Sequence, residues 1–130
     1  MRNPKKNQLG DRELDIMQVL WKLDGATIGE VHRALLEQGE EVAYTTIQTM
    51  LNRLEAKGVI KRRLEETTYH YYPDLKKSEV IKRAVKRLTG RFFKDSAEAL
   101  IVHLVKENLK DEQLDKIQTL IDEQRHKGAK

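Results

Sequence analysis

The sequence contains no cysteine among its 130 residues. Disulfides, thiolate metal ligands and a cysteine nucleophile are therefore excluded. Aromatic residues make up only 5% of the chain and there are two prolines, a composition typical of a helical protein with small hydrophobic cores. No apolar run approaches the roughly 20 residues that a membrane-spanning helix needs, and residues 1–6 lack an apolar signal region. We therefore expect a cytoplasmic protein.

Imidazoles are also few, which bears on catalysis and metal binding. The four histidines are His32, His70, His103 and His126. None of them stands in an H-x-x-x-H or H-E-x-x-H arrangement, the spacing that places two imidazoles on one helical face. Most carboxylates occupy positions expected for helix caps or charged surface. We therefore expect no metal, no cofactor and no catalytic site, and we expect that the protein is not an enzyme.

The charged residues, 35% of the chain, are unevenly distributed. Residues 1–74 hold 11 Lys and Arg against 12 Asp and Glu, whereas residues 75–130 hold 14 against 9. Eight cations and one acid lie between residues 76 and 94. The near-neutral N-terminal part argues against a purely electrostatic nucleic-acid binder. Its cations are nevertheless grouped, at Arg53, Lys57 and residues 61–63.

The stretch from Tyr44 to Gly58 has the most informative pattern. Its apolar residues recur at helical spacing, and the opposite face is rich in hydroxyl and amide groups. That polar face consists of Thr45, Thr46, Gln48, Thr49, Asn52 and Arg53. Short donors and acceptors can reach base edges in a DNA major groove, which is wide enough to admit a helix. The alternative, a polar face that is merely solvated, is the more common case for a helix taken alone.

Two helices are predicted before this stretch. The first should cover residues 11–23, with Gly10 as N-cap and Glu13 returning a hydrogen bond to it. The second should open at the capping box formed by Thr27 and Glu30 and end near Gly39. The start of the third helix is ambiguous, because a capping box at Thr45 competes with a stripe that begins a turn earlier.

Two β-prone runs follow, and they predict a hairpin over residues 59–73. With the turn at residues 66–67, Leu64 pairs with Tyr69 and Arg62 with Tyr71. The expected inner face consists of Ile60, Leu64, Tyr69 and Tyr71. Three helices followed by a hairpin form a winged helix-turn-helix, in which the third helix enters the major groove and the wing follows the backbone.

This arrangement predicts binding of double-stranded DNA through the helix 44–57 and the wing 59–73. The polar face of the helix would read bases, and Arg53 late in the helix would hold phosphate together with Lys61 and Arg63 on the wing. The alternative is a winged helix used only for protein contact, which the near-neutral charge of residues 1–74 favours.

The remaining chain, residues 75–130, predicts three amphipathic helices. Ser78 and Asp95 are the expected caps of the first two, and Gly90 is expected to bend or interrupt the first. About 55 residues make a marginal core alone, so we expect a helical dimerisation domain after a DNA-binding domain of residues 1–74. The alternative is a packing layer on the same monomer. The predicted dimer interface consists of Phe92, Phe93, Leu100, Ile101, Leu104, Val105, Leu114, Ile117 and Ile121.

Six segments, which together span nearly the whole chain, carry a family resemblance. They are residues 9–21, 45–54, 57–58, 69–72, 93–107 and 109–112. In their order and spacing they resemble the penicillinase and methicillin-resistance repressors of the BlaI/MecI/CopY type. The resemblance implies a dimeric winged-helix repressor that binds a dyad-symmetric operator, with the C-terminal helices forming an interlocked dimer.

The resemblance also implies an upstream partner. In penicillin-responsive members, a protease-linked membrane sensor leads to cleavage of an Asn-Phe bond in the dimerisation helix. This chain has His103-Leu104 at that place, a departure that sets it apart from the cleaved members. The copper-responsive branch carries paired cysteines in its tail, and residues 124–130 contain none, which excludes copper sensing by that chemistry.

Overall fold

The computed structural model describes residues 9–128, which fold mainly into helices with one antiparallel hairpin. The elements in chain order are α1 (Asp11–Leu23), α2 (Ile28–Glu37), α3 (Tyr44–Ala56), β1 (Ile60–Glu65), β2 (Thr68–Pro73), α4 (Lys77–Phe92), α5 (Ala97–Asn108) and α6 (Asp111–Gly128). This order confirms the predicted fold class. Residues 1–8 and 129–130, the ends of the two predicted domains, lie outside the described residues.

Local hydrogen bonds determine where α1 and α2 begin. The Gly10 N–H donates to Glu13 Oε1 at 3.0 Å. The Thr27 N–H donates to Glu30 Oε1 at 2.9 Å, and the Glu30 N–H donates to Thr27 Oγ1 at 3.1 Å. Both predicted capping arrangements are therefore confirmed. In α3 the N-cap is Ala43, so the capping box at Thr45 does not form.

The core of the N-terminal unit lies between the first three helices and the base of the hairpin. Ile47, Leu51 and Leu54 of α3 are fully buried there, and burial stabilises each by about 1.5–3 kcal/mol. Trp21 packs against the same core and donates from Nε1 to the Leu75 carbonyl oxygen at 2.8 Å. Because the apolar stripe of α3 faces inward, its polar face is turned outward.

The hairpin has the predicted register, with Arg62 opposite Tyr71 and Leu64 opposite Tyr69. An isolated bridge joins Tyr71 to Ala26, with N–H···O distances of 2.8 and 3.0 Å. Only the base of the predicted inner face is buried. Leu64 and Tyr69 are 59% and 44% exposed, because the outer half of the hairpin extends beyond the residues that cover Ile60 and Tyr71. The four residues share one face of the hairpin as predicted, but at Leu64 and Tyr69 that face is not covered by the rest of the unit.

The chain divides into two compact units, one reaching to Arg83 and the other beginning at Ala84. The change of unit falls inside α4, and the predicted domain boundary after residue 74 stays a prediction. Helix α4 begins at Lys77, so Ser78 lies inside its first turn and is not the N-cap.

Two further predictions concern Gly90 and Asp95 in the C-terminal helices, and the predicted cap at Asp95 is wrong. Helix α4 continues through Gly90 to Phe92, so Gly90 does not interrupt it, and a bend at Gly90 stays a prediction. Helix α5 is capped by Ser96, whose Oγ accepts from the Ala99 N–H at 3.0 Å, and not by Asp95. The reason is that Asp95 adopts a positive φ and donates its N–H to the Thr89 carbonyl, which closes the end of α4 and leaves the next residue to start α5.

Candidate nucleic-acid interface

The polar face of α3 is the first of two surfaces on which the predicted site residues lie. All six side chains are exposed, on the side of the helix opposite the fully buried apolar stripe. They are Thr45, Thr46, Gln48, Thr49, Asn52 and Arg53. The Thr49 Oγ1 donates to the Thr45 carbonyl at 3.0 Å. This internal bond leaves acceptor capacity on the hydroxyl oxygen of Thr49. The fold thus brings together the residues predicted to read DNA.

Two recesses lie along this helix. The smaller, of about 280 Å³, is lined by α3 alone, from Thr45 to Arg53. The larger, of about 540 Å³, separates α3 from the hairpin; we call it the wing groove. Its walls are Tyr44, Gln48 and Asn52 of α3, residues 27–29 at the start of α2, and Arg62, residues 67–69 and Tyr71 of the hairpin. Polar side chains of the helix and the wing therefore face one shared groove.

The wing presents its cations on two different faces, because successive side chains of a strand point to opposite sides. The guanidinium carbon of Arg63 lies 4.1 Å from the centroid of the Tyr72 ring. The guanidinium carbon of Arg62 lies 4.5 Å from the centroid of the Tyr69 ring, on the face that lines the wing groove. The predicted site included Lys61 and Arg63, both exposed, and omitted Arg62. The predicted pairing of Arg62 with Tyr71 was the signal that could have placed it on that face.

Tyr72 supports the outward-facing side of the wing. Its hydroxyl donates to Glu65 Oε2, and this hydrogen bond, with some burial, raises the pKa of Tyr72 above its ordinary value. Its ring lies against Gly25, where a Cβ atom would be only 2.4 Å from Tyr72 Cε1. Gly25 also has a φ of +109°, so this position favours glycine for two reasons. Arg63 therefore lies over a ring that is fixed by the hydrogen bond of its hydroxyl to Glu65 and by its packing against Gly25.

Lys57 belongs to the cationic group seen in the sequence, but the fold gives it a structural role. Its Nζ lies 2.8 Å from both carboxylate oxygens of Glu13, and the two side chains are only 14% and 8% exposed. Burial alone would raise the pKa of Glu13. The hydrogen bonds from Lys57 and the Gly10 N–H outweigh burial, so the pKa of Glu13 lies below its ordinary value. The pair ties the end of α3 to the start of α1.

The second surface is apolar and belongs to the C-terminal helices. Of the predicted interface residues, Phe92 is 75% exposed, and Ile101, Leu104, Val105 and Ile121 are also exposed. The other four are half-buried: Phe93, Leu100, Leu114 and Ile117. Helix α4 adds an exposed apolar stripe that the interface prediction omitted, formed by Ile81, Val85 and Leu88. Large exposed apolar surfaces mark interaction sites.

Two kinds of feature, metal-binding clusters and membrane-spanning helices, are not found in the part of the chain that the structure describes. Residues 9–128 contain no group of three or more histidine or carboxylate side chains that could hold a metal ion. Over the same range, no helix has the length and apolar character to cross a membrane.

Comparison with known proteins places this architecture in a family. Residues 9–123 match the family described as penicillinase repressor. The penicillinase repressor of Bacillus licheniformis is 27% identical over 124 residues, which cover 95% of this chain and 94% of that protein. The transcriptional regulator BlaI of Mycobacterium tuberculosis is 31% identical over 103 residues, which cover 78% of this chain and 74% of that protein.

A solved structure agrees with these sequence matches. The solution structure of the DNA-binding domain of the repressor BlaI superposes with a TM-score of 0.51 at 33% identity. The superposition covers 61% of this chain and 93% of that domain. The family match over residues 9–123 agrees with the structure, in which α3 has an exposed polar face and the hairpin wing lies beside it. The chain belongs to the penicillinase repressor family.

Proposed function

We propose that the protein is a cytoplasmic transcriptional repressor that binds, as a homodimer, a dyad-symmetric operator in double-stranded DNA. The observation that carries the proposal is the polar face of α3, which is wholly exposed beside the wing groove in a chain similar to a solved DNA-binding domain. A helix of this kind matches the dimensions of a major groove, and a hairpin beside it can follow the adjacent phosphates.

The proposed contacts divide by chemistry. The hydroxyl and amide side chains of Thr45, Thr46, Gln48, Thr49 and Asn52 would read base edges. Arg53, Lys61 and Arg63 would contact phosphates, which position the protein without specifying sequence. The Lys61 Nζ lies 3.7 Å from Asp74 Oδ1, and both side chains are largely exposed. Such a surface pair is worth about 0–1 kcal/mol, so Lys61 can exchange this partner for a phosphate.

The proposed dimer accounts for the apolar surface of the C-terminal helices. One winged helix contacts a single half-site, and joining two of them makes the second binding event intramolecular, which raises the overall affinity. The residues proposed to pair the two copies are the nine that the sequence predicts for the interface, which lie on α4, α5 and α6 and, for Phe93, directly after α4. Two half-sites on one face of the duplex would then lie about 34–36 Å apart, or a multiple of that.

A protease-linked membrane sensor is the upstream partner that we propose on family resemblance. Helix α5 runs unbroken through His103 and Leu104, where penicillin-responsive members carry the cleaved Asn-Phe bond, so a protease acting at this place would have to accept a His-Leu bond. A cut there would sever the proposed dimerisation helix while leaving α3 intact. The two winged-helix domains would no longer be joined, so the second binding event would lose its high effective concentration. The operator would then be released.

The proposal is tested by a mobility-shift titration of the full chain with random-sequence duplex DNA at low and at physiological salt. A DNA-binding repressor should shift random DNA weakly, with an affinity that falls steeply as salt rises. A winged helix used for protein contact should leave the duplex unshifted at every salt concentration.

A further inference from the structure

Arg62 connects the wing to α3 through three neighbours. Its Nε lies 3.3 Å from Glu55 Oε2 near the end of α3. Its guanidinium lies over the Tyr69 ring. A side-chain hydrogen bond with Tyr71, followed by the charge of Glu55, raises the pKa of Arg62 above its ordinary value. One cation thus contacts the helix, the exposed half of the hairpin and its buried base.

These contacts lie at the half of the hairpin whose inner face is not buried. A two-stranded hairpin is at best marginally stable alone, and here only Ile60 and Tyr71 of its inner face are buried. Beyond them, Leu64 and Tyr69 are exposed. The contacts of Arg62 with Glu55 and Tyr69 therefore restrain the exposed half of the wing against α3.

Arg63 provides a natural contrast with Arg62. The two residues are adjacent, carry the same charge and lie on opposite faces of β1. The guanidinium of Arg63 lies over Tyr72, and no ion pair within 4 Å links Arg63 to a carboxylate of residues 9–128. The charge of Arg62 is already engaged by Glu55, whereas that of Arg63 is open to an anionic partner.

We propose that Arg62 is a positioning residue for DNA binding: it holds the wing at a fixed distance from α3, so that both elements contact one half-site together. This inference rests on the proposed function. Arg62 acts through Glu55 and Tyr69, and it contributes to affinity without itself contacting a phosphate. Glu55 acquires a role by the same reasoning, since an acidic side chain near a DNA-binding face would otherwise only repel the backbone.

The test measures operator affinity at several salt concentrations by fluorescence anisotropy, with the full chain and a duplex that the wild-type chain selects from a random pool. Arg62→Ala should lower the affinity about two- to fivefold, the scale of a surface ion pair, while the slope of log K against log salt stays that of the wild type. The matched control Arg63→Ala should make that slope shallower by about 0.9, the loss of one phosphate contact.

The variant Glu55→Gln distinguishes positioning of the wing by the Arg62–Glu55 pair from a purely electrostatic effect of Glu55 on DNA affinity. It removes a negative charge next to the proposed interface, so a purely electrostatic account expects tighter binding. The positioning role expects weaker binding, with a loss similar to that of Arg62→Ala and with no further loss in the double variant. A shallower salt slope for Arg62→Ala, or tighter binding by Glu55→Gln, would overturn the proposal.

A DNA-free measurement separates this inference from the proposed function. Amide hydrogen exchange of residues 64–69 should accelerate in both Arg62→Ala and Glu55→Gln, because the restraint on the outer wing is lost. Unchanged exchange rates in both variants would show that Arg62 and Glu55 do not restrain the outer wing, even if the wild-type chain binds DNA as proposed. If the wild-type chain selects no DNA, the proposed function fails, whatever the exchange rates are.

Discussion

The ion pair between Lys57 and Glu13 gives the most quantitative prediction. The variant Lys57→Met keeps the length and the apolar stem of the side chain and removes the charge that Glu13 faces. Removing one partner of a buried pair costs about 3–5 kcal/mol, because the other charge is left uncompensated. The Lys57 side chain keeps 14% exposure, through which water reaches the carboxylate, so we expect the free energy of unfolding to fall by about 2–3 kcal/mol.

Guanidinium titration at fixed protein concentration measures this loss, with Trp21 as the probe. Trp21 is the only tryptophan and packs in the same unit as the pair. Lys61→Met is the matched control: its partner Asp74 and its own side chain are largely exposed, so the change should be at most about 1 kcal/mol. Equal stability of Lys57→Met and Lys61→Met would refute the structural role of the pair.

The same pair makes stability depend on pH. The pKa of folded Glu13 lies below its ordinary value of 4.5. Its contribution to stability is therefore fully present above pH 4.5 and is lost as the pH falls through the lowered pKa of the folded state. Lys57→Met removes the largest interaction that lowers this pKa. The free energy of unfolding should consequently fall less steeply with decreasing pH in the variant than in the wild type.

Three further predictions concern the reading of bases by α3, dimerisation through α5, and the packing of the wing against Gly25. Gln48→Ala should cost about 1–3 kcal/mol on the operator and little on random DNA; equal losses on both, measured by anisotropy, would contradict its reading role. Leu104→Asp should give a folded monomer in sedimentation with weakened operator binding, because it places a charge in the proposed apolar interface; a dimer with normal binding would refute the interface. Gly25→Ala should lower thermal stability, because its Cβ would meet the Tyr72 ring, and an unchanged melting temperature would contradict that packing.

Features that depend on neighbours in the sequence were predictable. The cap bonds at Gly10 and Thr27 span three residues, and the hairpin register follows from its two-residue turn at residues 66–67. The apolar stripe of α3 determined which of its side chains face outward. Membership in a family of repressors also confirms the expectation, drawn from the scattered histidines, that the chain is not an enzyme.

Features that depend on distant residues were not predictable. Lys57 stands among the grouped cations of the sequence, and nothing nearby indicates its ion pair, because its partner Glu13 lies 44 residues away in the chain. The inner face of the hairpin has an apolar pattern along its whole length, yet Leu64 in its outer half stays exposed, because burial depends on where other elements end in space. Asp95 and Ser96 are equally good caps by type, and the choice was made by the Asp95 bond to Thr89.

The central claim is that two copies of α3 read two symmetric half-sites. Selection of bound sequences from a random duplex pool by the full chain, repeated with Gln48→Ala, tests it most directly. The account predicts a dyad-symmetric consensus with half-site centres about 34–36 Å apart or a multiple of that, in which the variant relaxes the same position of both half-sites. Enrichment of no sequence, or of an asymmetric one that Gln48→Ala leaves unchanged, would contradict it.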